Sequence, residues 1–340
     1  MSNSIHAALE QVLTNKDLSS EQMESTMNTI MQGEATPAQI AGFIIALRMK
    51  GETVDELAAA ARVMRNLSTK VDISVEPLVD TCGTGGDGQK TFNISTASSL
   101  VAASAGVNIA KHGNRSISSK SGSADVLETL GVKLDLTPEQ IAKCVEEIGI
   151  GFMFAPMHHS CMKHAIGPRK ELGVRTLFNL LGPLTNPAGA ERQVLGVFDR
   201  RWLEPLARVL ASLGTQHALV INADDGLDEI TISGGTEICE LKQGEVTSYR
   251  VTPEDFEMQT SELDAIRVEN AEDSAKMILA LLEGNPGPSA DIVCLNAGAA
   301  IYVAGKCDSL KEGVSLARQQ LSSNAAYEKL QQLIKLSNQV

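Results

Sequence analysis

From residue 78 onward the chain alternates short β-branched or apolar runs with helical stretches. That alternation confines it to a mostly parallel sheet covered by helices. The runs are Leu78–Cys82, Val107–Ala110, Gly151–Phe154, Val194–Phe198, Ala218–Ile221 and Ile292–Leu295, each bounded by glycine or polar residues. They show little polar alternation, so strands buried on both faces are expected. Thr137-Pro138-Glu139-Gln140 opens one crossover helix, and Trp202–Leu213 reads as another. Ligands of such sheets bind beyond the carboxyl ends of the strands, which directs attention to the residues after each run.

The first 72 residues follow a different period. Ile5, Ala8, Leu9, Val12 and Leu13 recur at helical spacing. Ser19 with Gln22, Thr36 with Gln39 and Thr53 with Glu56 spell capping boxes, while Gly33 and Gly51 sit at expected helix ends. A small all-α unit is therefore expected over 1–72, with a helical return over about 157–182. The remainder, 73–156 and 183–340, is expected as a large α/β unit. Val71–Pro77 reads as a linker and Gly182-Pro183-Leu184-Thr185-Asn186-Pro187 as a breaker and candidate hinge. The helical unit carries more apolar surface, including Met23, Ile30, Phe43 and Leu47, than four short helices bury among themselves. Packing against the rest of the chain and pairing with a second copy both satisfy it.

Composition narrows the function. An apolar fraction of 43% and a charged fraction of 21% exclude collagen, coiled coil and wholesale disorder. No apolar run reaches the roughly 18 residues of a membrane helix, and the start lacks the blocks of a signal peptide. A cytoplasmic protein without a membrane partner is expected. Lys and Arg number 29 against 42 Asp and Glu, and the net charge of −13 opposes nonspecific attraction to nucleic acid. The six cysteines are scattered without a C-x-x-C pair, so neither a zinc knuckle nor a disulfide framework is indicated.

Four stretches carry polar chemistry. Asp80-Thr81-Cys82-Gly83-Thr84-Gly85-Gly86-Asp87-Gly88 is a strand running into a loop with four glycines in six residues, followed by Asn93-Ile94-Ser95-Thr96 at a helix start. Glycines let successive backbone N–H groups approach an anion, so this is a candidate phosphate loop. It satisfies G-x-G-x-x-G, yet the next strand ends in Lys111-His112 where a dinucleotide site wants an acid, and Gln89 stands where a triphosphate loop wants lysine. Lys111-His112-Gly113-Asn114-Arg115 ends the second strand and leads into the hydroxyls of Ser116, Ser118, Ser119, Ser121 and Ser123, a pocket suited to phosphate and carboxylate oxygens or else a solvated basic loop. Asp228-Glu229 follows the fifth run; the pair can hold magnesium together with waters and substrate phosphates, or simply face solvent. Arg169-Lys170-Glu171-Leu172-Gly173-Val174-Arg175-Thr176 offers planar guanidinium forks for a carboxylate, though exposed helix charges give the same pattern. His158, His159 and His164 lack an acidic partner and zinc spacing, so no metal is assigned there.

In order and separation, these stretches resemble the anthranilate phosphoribosyltransferase family of tryptophan biosynthesis. The resemblance spans essentially the whole chain. It rests on Gly83–Asp87, Asn93–Thr96, Lys111–Arg115, Ser118–Asp125, Arg169, Gly182–Pro187 and Asp228-Glu229. It implies transfer of the phosphoribosyl group of 5-phosphoribosyl 1-diphosphate to the amine of anthranilate, with release of pyrophosphate. It further implies that Gly83, Thr84, Gly85, Gly86, Asp87, Thr91, Asn93, Ser95, Thr96, Lys111 and Ser123 hold the sugar diphosphate. Gly83, His112, Asn114 and Arg169 would line the anthranilate path, with Arg169 facing the carboxylate. Ser95, Asp228 and Glu229 would bind magnesium, two ions per subunit, and no general base is implied. A small α domain beside a larger α/β domain, working as a homodimer through the helical unit, is the implied architecture. Whether a glutamine amidotransferase docks on that unit is not legible in the sequence. The rivals are a pyrimidine nucleoside phosphorylase-like enzyme, which leaves Asp228-Glu229 unexplained, and a nucleic-acid-binding relative, which should be basic. Two departures, Met157-His158-His159-Ser160 after Ala155-Pro156 and Gln89-Lys90 after the glycine loop, fall outside the residues named for binding.

Overall fold

The computed structural model describes residues 3–115 and 121–340; Ser116, Ser118, Ser119 and Lys120 lie outside the described residues. Helices α1 (Asn3–Leu13), α2 (Ser20–Met31), α3 (Pro37–Lys50) and α4 (Val54–Leu67) form the helical start. Ser19, Thr36 and Thr53 each accept the backbone N–H three residues on, and Gln22, Gln39 and Glu56 return the bond, so these starts are fixed locally. Gly51 ends α3 at φ 93°, which an L side chain resists.

The chain then runs β1 (Leu78–Gly83), α5 (Ile94–Ser104), β2 (Asn108–Gly113), α6 (Ser123–Thr129), α7 (Pro138–Ile148) and β3 (Ile150–Phe154). Short helices α8 (Ala155–His158), α9 (Lys163–Leu172) and α10 (Phe178–Leu181) lead to β4 (Arg192–Gly196), α11 (Leu203–Ser212) and β5 (His217–Ala223). A hairpin, β6 (Thr236–Lys242) and β7 (Glu245–Val251), precedes α12 (Ala271–Leu282), α13 (Pro288–Val303), α14 (Leu310–Ser322) and α15 (Ala325–Gln339). The sheet has seven strands in the order β3-β2-β1-β4-β5-β6-β7. The first five pair in parallel; β6 and β7 add antiparallel at one edge.

Successive residues of β5 point to opposite faces and serve different cores. Leu219 and Ile221 join α5, α13 and α14 on one side, while Ala218 and Val220 join α11 and the helical start on the other. Met23, Ile30, Phe43 and Leu47 are buried in that second core together with Leu177, Phe178 and Leu181 of the helical return. Much of the apolar excess of the first helices is thus covered by the chain itself. Leu13, Met49, Met157, Ile166 and Val174 remain exposed.

One expected strand is a helix. Ile292–Leu295 lies inside α13, whose residues from Ile292 to Val303 are all buried. An all-round apolar stretch carries no period, so four residues of it look alike in either state. Pro288 at the helix start and Ala297, Ala299 and Ala300 farther along decide for helix. Gly298 and Gly313 let α13 and α14 touch backbone to backbone, since a Cβ on either would strike the other helix. The β6–β7 hairpin went unread; it turns on Gln243-Gly244, both at positive φ, a pairing that suits a two-residue hairpin.

The segment read as a hinge is pinned at its far end. Asn186 Nδ2 donates to Asp80 Oδ2 and to the Ala110 carbonyl, each at 2.8 Å, and all three groups are buried. Asn186→Ala should lower stability by about 2 kcal/mol, because it strands a buried carboxylate and a carbonyl. Chemical denaturation checks this, and an unchanged midpoint would contradict it.

Candidate active site

The strand order reverses direction of winding between β1 and β4, the switch point at which open α/β sheets bind ligands. Gly83 and Gly196 face each other in register there. Gly196 must be glycine, because a Cβ there would collide with the Asp228 carbonyl, and a Cβ on Gly83 would push the Asp228 carboxylate aside. The absence of two side chains thus brings the acidic loop onto the carboxyl ends of both strands.

The glycine loop is held at several points. Thr84 N–H donates to Gly196 O at 2.9 Å, and Thr84 Oγ1 accepts Phe198 N–H at 3.1 Å. Gly85, Gly86 and Gly88 take φ of 66°, 80° and 77°, conformations that favour glycine. Gly85 N–H donates to Asp228 Oδ2 at 3.0 Å, and the Gly86 carbonyl accepts from the Arg175 guanidinium. Asp87 Oδ1 accepts Gln89 N–H at 3.2 Å, and Gln89 Nε2 reaches the Asp225 carbonyl at 2.6 Å. Thr91 bridges to Arg267 at the loop's exit.

Asn93 occupies the N-cap position of α5 without capping it. Its Oδ1 instead accepts Ser121 Oγ at 2.6 Å and Ser274 Oγ at 2.7 Å. Ser95 and Thr96 follow in the first turn, and the buried Thr96 hydroxyl has no partner among the described residues. Lys111, buried on β2, donates to the Thr81 carbonyl and to Ser95 Oγ at 3.2 Å. Burial lowers its proton affinity, and Asp80, Cys82 and Glu229 push the other way.

The acids set the charge balance of the site. Burial, then the charge of Asp87, pushes the Asp228 carboxyl up to about 7, against the Gly85 N–H and Arg175. Burial and Asp228 hold Glu229 well above the carboxylate range, against Lys111 and the Ser95 N–H. Asp87 is raised too, chiefly by burial, with the nearby Asp225 adding to it. Carboxylates crowded with too little positive charge favour a divalent cation, which inverts the local balance. Among the described residues no three His, Cys, Asp or Glu side chains form a ready cage. Magnesium asks for less, taking one or two carboxylates plus waters and substrate phosphates. The donor set of Asp228, Glu229 and the Ser95 hydroxyl fits that ion.

His112 follows Lys111 on β2, its Nε2 buried without a hydrogen-bond partner among the described residues and its ring 5.1 Å from that of His159. Burial first, then His159 and His158, drives its pKa well below the usual value, so the ring is neutral. Asn114 is exposed; its carbonyl accepts Ser123 Oγ at 3.3 Å and its Oδ1 accepts the Arg115 N–H at 2.7 Å. Arg169, half-buried on α9, stacks on Phe178 at 5.2 Å and joins none of the ion pairs found among the described residues. No hydrogen bond among the described residues links His112, Asn114 and Arg169. The structure therefore gathers the glycine loop, Ser95, Lys111 and the acidic pair into one contact network and leaves the other three separate.

Sequence reasoning gave no role to Arg175, Gln89, Asp80 or Asn186. Asn186 lay inside the breaker and Arg175 inside the basic stretch, so the motifs were visible, but Gly86 lies 89 residues from Arg175 and Asp80 lies 106 from Asn186.

The glycosyl transferase family's a/b domain matches residues 75–327, and its helical bundle domain matches residues 6–68. An anthranilate phosphoribosyltransferase of Thioalkalivibrio sulfidiphilus is 62% identical over 327 residues, covering 96% of this chain and 97% of the relative. One of Cellvibrio japonicus is 57% identical, covering 97% of each. The crystal structure of anthranilate phosphoribosyltransferase from Thermus thermophilus superposes with a TM-score of 0.93 at 44% identity, covering 97% of this chain and 99% of that one. The Saccharomyces cerevisiae enzyme in complex with PRPP and Mg gives 0.90 at 25% identity, covering 100% and 99%. With two domain matches in sequence order and relatives this similar over their full length, the chain belongs to the anthranilate phosphoribosyltransferase family.

Proposed function

We propose that the chain transfers the phosphoribosyl group of 5-phosphoribosyl 1-diphosphate to the amine of anthranilate, releasing pyrophosphate. The observation that carries this reading is the meeting of the glycine loop with Asp228 at the switch point, through the 3.0 Å bond from Gly85 N–H. Anion-binding amides and cation-binding acids together suit a diphosphate that arrives with a metal. Gly83, Thr84, Gly85, Gly86, Asp87, Thr91, Asn93, Ser95, Thr96, Lys111 and Ser123 would bind the sugar diphosphate. Ser95, Asp228 and Glu229 would hold magnesium, two ions per subunit.

In the reaction the bond from ribose C1 to the diphosphate oxygen breaks, its electron pair leaves with pyrophosphate, and the amine nitrogen supplies the pair for the new C1–N bond. The nitrogen then gives up a proton to solvent. Magnesium, when bound, supplies positive charge to the departing oxygens. Loop amides and Lys111 add donors fixed in advance, and one lost donor in a comparable site costs about 3 kcal/mol. The aromatic amine keeps a free lone pair at neutral pH, so alignment matters more than deprotonation and no general base is needed. Arg169 would fix the carboxylate of the acceptor, with His112, Asn114 and Gly83 along its path.

The helical unit over 1–72 with its return over 157–182 forms one lobe in this reading, and 73–156 with 183–340 the other. Exposed Leu13, Met49, Met157, Ile166 and Val174 on or beside the helices support a homodimer paired through the first lobe. No helix among the described residues is long and apolar enough to cross a membrane. A net charge of −13 speaks against the nucleic-acid-binding alternative, and the acidic pair against the phosphorylase.

Loss of anthranilate fluorescence on mixing protein, magnesium and the sugar diphosphate tests the activity; fluorescence that persists at all protein concentrations would overturn it. Arg169→Ala should raise the Michaelis constant for anthranilate about tenfold or more, the worth of a charge-assisted pair, while that for the diphosphate holds. Equal changes in both constants would remove Arg169 from the acceptor side.

A further inference from the structure

Arg175 lies between α9 and α10, on the return from the helical part, and its guanidinium makes two contacts with the segments that follow β1 and β4. It donates to the Gly86 carbonyl in the glycine loop, and it stacks on the Phe198 ring with the guanidinium carbon 4.1 Å from the centroid. Its own main chain is held from α3, where Arg48 Nη1 donates to the Arg175 carbonyl at 2.6 Å. Phe198 is tied in turn to the loop, through its N–H to Thr84 Oγ1. A continuous set of contacts therefore runs from α3 through Arg175 to the glycine loop and the end of β4.

What the contact does follows from the planarity of the peptide. The Gly86 carbonyl and the Asp87 N–H belong to one rigid unit and point in opposite directions. A guanidinium that captures the carbonyl sets the direction of the amide, and the Asp87 N–H has no partner among the described residues. A carbonyl turned toward a diphosphate would repel it, whereas an amide attracts it. Lysine carries the charge but cannot offer a planar face to Phe198 and a directed N–H to the carbonyl together.

We propose that Arg175 is a positioning residue for the sugar diphosphate: by holding the Gly86 carbonyl it aims the Asp87 N–H into the anion site, and through Arg48 it ties that loop to the helical part. This rests on the function proposed above. The test measures both Michaelis constants, and inhibition by pyrophosphate, for the full-length protein and for Arg175→Ala, Arg175→Lys and Arg48→Ala. Arg175→Ala should raise the diphosphate constant and the pyrophosphate inhibition constant about tenfold each, with the anthranilate constant within about twofold. Arg175→Lys should stay within about threefold of the alanine variant. Arg48→Ala, which loosens only the main chain of Arg175, should shift the diphosphate constant about threefold. Arg175 is exposed, so its replacement leaves the core intact, and thermal unfolding verifies that. Should Arg175→Ala fail to fold, Phe198→Leu removes the stacking ring and should reproduce the selective loss. Equal damage to both substrates, no change in the diphosphate constant, or full rescue by lysine would overturn the inference. A wild-type protein that does not consume anthranilate would instead overturn the underlying function.

Discussion

Replacing Asp228 and Glu229 together, as Asp228→Asn with Glu229→Gln, is expected to slow phosphoribosyl transfer by about 100- to 1,000-fold, equivalent to about 3–4 kcal/mol of transition-state stabilisation. The amides keep volume and polar atoms but remove the charge that would hold magnesium. The same change is expected to hold or raise the unfolding temperature in metal-free buffer at pH 8. Asp228 titrates near 7 because burial and Asp87 oppose its charged form, so at pH 8 the folded chain carries a destabilising charge. Asparagine eliminates it. The sign agrees with linkage: a carboxyl whose folded pKa is raised loses its contribution to stability as pH rises through that value. A less active and no less stable variant cannot be explained by misfolding. Rates across a magnesium titration, with thermal unfolding with and without the ion, measure both halves. Retained activity, or a fall of several degrees in metal-free unfolding, would contradict the assignment.

The second large effect comes from a methyl group. Gly196→Ala is expected to cost about 2–3 kcal/mol of stability and, through displacement of the acidic loop, about 100-fold in turnover. A Cβ at this position would run into the carbonyl oxygen of Asp228. That obstacle is backbone, so no rotamer change relieves it. Either β4 leaves its register with β1 or the 224–235 loop retreats, carrying the acidic pair away from Ser95 and the glycine loop. Gly234→Ala in the same loop is the control, because its Cβ would meet nothing within 4 Å. Denaturant midpoints and initial rates of the two variants compare directly. Equal behaviour would mean that the close approach of Gly196 and Asp228 has no role in placing the acids.

Five of the six expected strands form because parallel strands buried on both faces leave unmistakable apolar runs, and the capping boxes at Ser19, Thr36, Thr53 and Thr137 fix their helices within a few residues of sequence. Local chemistry is legible locally. The glycine loop, Lys111 and the acidic pair stood out for the same reason, each being a dense run of unusual residues beside a strand end. Ile292–Leu295 failed because total burial erases the period that separates helix from strand. Asn186 on Asp80, Arg175 on Gly86 and Gly196 against Asp228 could not be read at all. Each depends on which strands lie side by side, and strand order is a property of the assembled sheet.

The alternation along β5 has a consequence for how the molecule comes apart. With Ala218 and Val220 in one core and Leu219 and Ile221 in the other, this strand is a wall common to both. A slip of one residue would exchange the sides and spoil both packings at once. Neither half can melt and leave its neighbour's boundary intact, so the two lobes are bound into a single cooperative unit despite their different architectures.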